Sequence, residues 1–334
     1  MVTFRPGVKP NDPRRPRLYF STFRKKAFLT PVTVDYYSQL PVIGMLGNDD
    51  WGDCVEASNG HIAEQQTFLG QGTEFLVTTD AAVSSYSQIT GFDPNAGPPG
   101  NNPTDQGTEI QMGLNWLRKT GFPAKPASHV IAAFAQLDPS NIAEVKAAVY
   151  EFGVVDIGFA FPSSAMDQFN AGQPWDVVPG SPIEGGHCVC VAGYDATYLY
   201  VYTWGAVQKM TYAFWNEYVV KNGGEAWAVI DQDWVNNATG KDPEGIDKYT
   251  FGAQFAALTG QPNPFPAPAP VPTPPPVPAP TPTPPPAPGP VPVPPLDPAE
   301  LALVVAAHRY LKTWWPSPRY LSTALKNWIS DKGQ

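Results

Sequence analysis

Cys54 and His187 are the side chains in this sequence whose settings suit covalent chemistry. Cys54 lies in GNDDWGDCVE, residues 47–56, where a glycine-containing turn meets the start of a helix. His187 stands 133 residues later in GGHCVCVAGYD, residues 185–195, at the head of an apolar strand. A free thiol titrates near about 8.5, and a helix N-terminus or a neighbouring imidazolium lowers that value. A helix-start thiol beside a strand-borne imidazole is therefore the pairing that thiolate attack on an acyl carbon requires. Gly185 and Gly186 would let neighbouring chain come close and orient the ring. Each residue alone has a plainer reading, since a lone buried cysteine packs and a lone strand histidine hydrogen-bonds within the core. His61, seven residues after Cys54, falls two turns along the same helix face, about 10 Å away, and reads as packing. Asp49 and Asp50 bring negative charge to the turn, which would oppose a thiolate.

The elements that must position these groups follow from pattern and punctuation. Asp53 as cap and Glu56 three residues on start a helix that runs to about Phe68. A second helix is expected over 78–89. A loop rich in glycine, proline and asparagine over 91–107 leads to a third over 107–119. Asp138, Pro139 and Ser140 introduce a short helix over 141–150. Strands are expected over 154–161, 187–194, 198–203 and 226–230, all with β-branched or aromatic residues. Helices first and an antiparallel sheet later define an α+β domain, with the helical half carrying Cys54 packed on the sheet carrying His187. The 91–107 loop reads as solvated surface, with the border of a groove as the alternative.

These motifs resemble those of the papain-like cysteine peptidase superfamily. That family sets its nucleophile at a helix start after a glycine-rich turn and its histidine at the head of a strand. An asparagine follows, shortly before a Trp-Gly pair. Residues 48–54, the run GHCVCVAGY over 186–194, and Thr203, Trp204 and Gly205 are similar to these three elements, and the resemblance spans about residues 40–230. It implies a papain-like fold with Cys54 as nucleophile, His187 as base and Asn48, six residues before Cys54, as the oxyanion donor. Anchored on Trp204 and Gly205, the family's orienting asparagine falls at Tyr202, with Thr203 the adjacent position; neither offers an amide, and Asp195 and Asp176 are further candidates from elsewhere. The activity implied is hydrolysis of a peptide or peptidoglycan-like amide. The alternative is a papain-like fold without activity, serving as a structural or attachment protein of a virion or other large assembly.

Composition excludes several other classes. With 15% charged residues among 334 and a net charge of -9, the chain has no broad basic footprint for nucleic acid. The exception is residues 1–27, a basic arm with Arg5, Lys9, Arg14, Arg15, Arg17, Arg24, Lys25 and Lys26. The arm reads as solvated or locally paired, with docking on an acidic surface or nucleic acid as the other option. The three cysteines make neither a disulfide framework nor a zinc spacing, and Cys188 and Cys190 share one strand face. No Walker loop, dinucleotide fingerprint, HExxH or compact histidine-carboxylate cluster occurs in the sequence, so neither a cofactor nor a metal is expected. The first residues lack the apolar segment and cleavage site of a signal peptide, and no 18-residue apolar run occurs. Cytoplasmic synthesis without a membrane span is therefore expected, with virion association under the second reading.

The main domain is expected over 28–260, followed by a linker over 261–296 without a charge and with a proline at about every second position. Proline fixes φ and removes donors, so the linker should be an extended polyproline II spacer of roughly 100 Å. Residues 297–334 read as a helical hairpin broken at WWPSP. It is too small for a core of its own, and Trp314, Trp315 and Trp328 are candidates for docking on a protein assembly.

Overall fold

The centre of the fold is a helix, α1 (Cys54–Gln71), buried along nearly its whole length although it carries Glu56, Ser58, Asn59, His61, Glu64, Gln65 and Gln66. A buried polar side chain must find a hydrogen-bond partner, and α1 finds several in the sheet beneath it. Ser58 Oγ donates to Asp156 Oδ1 at 2.6 Å, and Gln66 Nε2 donates to the carbonyls of Phe152 and Val229 while its Oε1 accepts from Asp231 N. These bonds fix the helix in register, which fixes the place of Cys54 at its first turn.

The computed structural model of the chain divides into two units, Met1–Ala269 and Pro270–Gln334. It describes residues 5, 7–15, 30–125, 127–235, 239–242, 247, 249, 250 and 253, all in the first unit. The expected linker, the hairpin with Trp314, Trp315 and Trp328, and Arg17, Arg24, Lys25 and Lys26 of the arm lie outside the described residues.

In chain order, β1 (Val8–Lys9) and β2 (Val34–Asp35) precede α1, and α2 (Thr79–Thr90) follows it. Then come β3 (Thr108–Glu109), α3 (Ile110–Lys119), β4 (Ile131–Leu137), α4 (Ile142–Phe152), β5 (Val155–Pro162) and α5 (Ser163–Asn170). The second half continues with β6 (Ile183–Tyr194), β7 (Tyr198–Thr203), β8 (Ala206–Thr211), a short helix passing into a π-helical turn over Trp215–Lys221, and β9 (Glu225–Asp231). The sheet is antiparallel in the order β4-β9-β5-β6-β7-β8, with β2 also paired to β6. Its alternating side chains build two cores. On one face Cys188, Cys190, Ala192, Trp227 and Val229 meet α1 and α3; on the other Val189, Val191, Ala226 and Ala228 meet α4, Phe214 and Trp215.

The sequence reading is corrected at several places. Asp53 caps α1 by position, yet its side chain makes no capping bond, because it turns to Asn48 instead. Thr78 and Asn141 do cap α2 and α4, accepting from Ala81 N and Glu144 N. Five further strands, β1, β2, β3, β4 and β8, and the helix α5 join the elements expected from the pattern.

A histidine-carboxylate cluster that sequence spacing did not show is made by folding. His129 lies between Asp231 and Asp233, with Nε2 2.6 Å from Asp231 Oδ2 and Nδ1 3.5 Å from Asp233 Oδ2. Both ring nitrogens thus face carboxylates, the arrangement of a paired imidazolium. Burial alone would lower the ring's pKa, but bonds and charges from the two aspartates outweigh it and raise it to about 9. A folded pKa above the unfolded one stabilises fully below the unfolded value, near about 6.5, and is lost as pH rises through the folded value. Wild type should therefore lose thermal stability between pH 6.5 and 9 relative to a His129→Gln variant; parallel melting curves across that window would refute the pairing.

Candidate functional site

Strand parity decides what surrounds His187. Cys188 and Cys190 face α1, so His187 faces the opposite side of β6, among Phe159, Phe161, Trp175 and Trp204. Trp204 stacks on the imidazole with centroids 4.5 Å apart and planes 13° apart. The β7–β8 hairpin achieves this with a two-residue turn between the paired Thr203 and Ala206, in which Trp204 has φ +45° and Gly205 has φ +71°. Positive φ at both central residues is the type I′ geometry that matches strand twist. Placing a tryptophan there is unfavourable by itself, and packing on His187, Phe169 and Trp175 offsets it.

Parity also separates the two candidates for the orienting position. Thr203 Oγ1 lies 3.0 Å from His187 Nε2, with both residues buried. Tyr202 points the other way, toward α1, where its hydroxyl donates to Gln65. Asp195 is spent on its own turn, accepting from Thr197 N, Tyr198 N and the Tyr200 hydroxyl. Asp176 bonds Thr211 and the backbone of Val177. His61 takes the packing role, with Nε2 2.9 Å from Gly44 O, and burial lowers its pKa to about 4.

Cys54 occupies the first turn of α1, 1% exposed, beside the backbone of Cys188. Burial pushes its thiol well up, and the nearby carboxyls of Asp53 and Asp156 push in the same direction. Burial acts on those acids too, holding Asp53 well above the usual carboxylate range and Glu56 and Asp156 up at about 7. Burial lowers His187 to about 3. The site is therefore set for a neutral thiol and a neutral imidazole. Asp49 and Asp50, by contrast, are exposed, so their charge is screened by water. Asn48 is buried in the turn, its amide donating to Trp51 O at 3.2 Å and Asp53 Oδ1 at 3.4 Å.

The dryness has a visible source in the basic arm. Gly7 lies directly over Cys54: a methyl group on its Cα would come within 2.5 Å of both Cys54 Sγ and Gly52 O. Gly7 N donates to Gly186 O at 3.1 Å, and Gly7 O accepts from Thr108 N at 2.7 Å, so one residue joins the sheet side to the helix side. Gly186 is needed for this approach, since a Cβ there would meet Val8 at 2.5 Å. Of the arm's cations, Arg14 pairs with Asp12 and Arg15 with Glu109.

A bracing residue that no motif announced is Asp105, at the end of the 91–107 loop. Both its carboxylate oxygens accept from Gly52 N, two residues before Cys54, and Oδ1 also accepts from Tyr86, whose oxygen accepts from Gly107 N. This chain of bonds makes the end of the loop a wall of the site. A glycine-rich loop ending in an acid before a helix was the available signal, and it was too general to single out. Tyr86→Phe should orphan Gly107 N and cost about 1–3 kcal/mol, read as a lower denaturant midpoint at unchanged slope. An unchanged midpoint would show that the brace carries no stability.

No protein-family model matches the chain, and no curated protein matches it. Among solved structures it is similar to xylellain, a cysteine protease from Xylella fastidiosa, at 16% identity and TM-score 0.53, covering 69% of this chain and 99% of that one. It is also matched to a procathepsin B from Trypanosoma congolense, at 12% identity and TM-score 0.44, covering 68% and 82% of the two chains. A third match is to the cysteine protease and lectin-like domains of Cwp84 from Clostridium difficile, at 13% identity and TM-score 0.47, covering 67% and 55%. The first of these carries the assignment of fold. The architecture, helices set against an antiparallel sheet, resembles that of the papain-like cysteine proteases.

Proposed function

We propose that the protein is a cysteine hydrolase, a peptidase or amidase, in which Cys54 is the nucleophile and His187 the general base. The observation that carries the reading is Gly7: its N–H bonds the carbonyl of Gly186, the residue before His187, while its Cα lies against Cys54 Sγ, so one residue links the thiol to the start of the histidine motif. The xylellain likeness supports the fold alone.

In this reading His187 Nε2–H donates to Thr203 Oγ1 and Nδ1 takes the proton from Cys54. Sulfur attacks the amide carbon, and the carbonyl electron pair moves to oxygen. Collapse of the tetrahedral intermediate breaks the C–N bond, and His187 returns its proton to the leaving nitrogen. Water deprotonated by His187 then cleaves the thioester, releasing the acid and restoring the thiol. The Cys54 backbone N–H is one oxyanion donor; Asn48 is the second once its amide exchanges Asp53 for the developing charge. Thr203 is a positioning residue, weaker than an amide because its hydroxyl rotates and carries no fixed acceptor.

The filled cleft favours a second reading, a papain-like protein without turnover that serves attachment, with the segment from 261 to 334 and Trp314, Trp315 and Trp328 as the anchoring part. Amide hydrolysis by the full chain separates the two. Cys54→Ala and His187→Ala should each abolish hydrolysis and keep the circular dichroism of wild type; turnover by either purified variant would remove the dyad. Thr203→Val should lower kcat by about 10–100-fold with KM little changed, a fraction of what general base catalysis contributes, and Thr203→Ser should recover most of it. Equal loss in both variants would point to packing instead.

A further inference from the structure

The sheet beneath Cys54 carries an acid that the hydrolytic steps above leave unused. Asp156, on β5, is fully buried and faces α1. Its Oδ1 accepts from Ser58 Oγ at 2.6 Å and from Cys188 Sγ at 3.2 Å. Ser58 lies one turn past Cys54 on α1, and Cys188 is the residue after His187 on β6. One oxygen thus ties the nucleophile's helix to the histidine's strand. Oδ2 is buried and has no hydrogen-bond partner among the described residues. The titratable groups facing Asp156 are Cys54 and Glu56 of α1, Cys188 and Cys190 of β6 and Glu225 of β9. Each of these is an acid, so none offsets a charge on Asp156. A carboxylate there would give up its hydration and gain no counter-ion, and the group avoids this by keeping its proton. Burial accordingly raises its pKa to about 7. Asp53, the other acid whose charge reaches the thiol, is bonded by Asn48 within its own turn.

We propose that Asp156 is a positioning residue that works with its proton on: neutral, with the hydrogen on Oδ2, it holds α1 to β6 and leaves a floor without charge under the Cys54 thiolate. The thiolate step itself rests on the hydrolase reading. A neutral carboxyl keeps both donors, because its carbonyl oxygen accepts from Ser58 and Cys188 alike. Once ionised, Asp156 places a second negative charge in the same dry pocket as the thiolate, and the two oppose each other. Loss of the Asp156 proton therefore holds back thiolate at alkaline pH, where an isolated thiol would only gain it.

Asp156→Asn tests this on the full-length chain, since the amide has the carboxyl's shape and cannot ionise. An acid whose folded pKa lies above its unfolded value, near about 3.9, stabilises fully below the unfolded value and loses that contribution as pH rises through the folded one. Wild type should thus fall in melting temperature relative to Asp156→Asn between about pH 4 and about pH 7. Parallel curves, or a wild type that gains on the variant, would overturn the neutral carboxyl. Iodoacetamide labelling, read at the Cys54 peptide, tests the coupling to the thiol. Near about pH 9 the variant should label about tenfold faster than wild type, the change that one unit of thiol pKa produces, and near about pH 6 the two should agree. The same ratio at both values would reduce Asp156 to packing and overturn the proposal. Where Asp156→Asn does not fold, Ser58→Ala keeps the acid and removes a donor that favours its ionised form. That variant should go on losing stability relative to wild type above about pH 7, and parallel curves there would again overturn the proposal. Both pH effects without hydrolysis of any amide would keep the role of Asp156 and sink the hydrolase. Hydrolysis with neither effect would do the reverse.

Discussion

Burial of a polar helix governs this fold. An amphipathic helix can slide against its neighbour with little penalty, because one apolar contact replaces another. α1 cannot, since Ser58, Gln65 and Gln66 each hold a particular partner on β5, β7, β9 or the Phe152 carbonyl. Losing register would leave several buried polar groups unsatisfied at once, each costing about 1–3 kcal/mol. The first turn, with Cys54, is consequently fixed against β6 from the far end of the helix. His187 is fixed from the other side of the same strand by Trp204 and Thr203.

Dryness shapes the electrostatics of the site more than any charge pair does. Cys54, His187, Asp53, Glu56 and Asp156 all shift in the direction that favours their neutral forms, and burial is the leading cause in every case. A helix N-terminus ordinarily favours a thiolate, but desolvation exceeds that contribution when water is excluded. The acids around the thiol are themselves shifted by burial toward their neutral forms, and Asp53 and Asp156 push the thiol in the same direction. The same five groups would respond together to the return of water.

The sequence made the α+β class legible, together with the helix that starts at Cys54 and the strand that holds His187, because glycine turns, caps and alternating apolar runs are local signals. α2 falls within a residue of its expected bounds, and β7 matches them. β4 was missed since IAAFAQL is rich in alanine and lacks strand character until β9 pairs with it. The choice between Tyr202 and Thr203 needed strand parity relative to His187, which depends on the register of β6 and β7. The Asp53 capping box failed because Asn48, five residues back, competes for the carboxyl. The arm over Cys54 was beyond reach: Val8 meets Thr108 across 100 residues, and nothing in VK marks it as a strand.

A cysteine kept protonated and dry is also kept from peroxide. Oxidation to sulfenic acid proceeds through the thiolate and requires access, and sulfinic and sulfonic acids follow irreversibly. With Gly7 seated against Sγ, Cys54 has neither the charge nor the exposure that this chemistry needs. The chain therefore carries its thiol in a form that tolerates an oxidising interval.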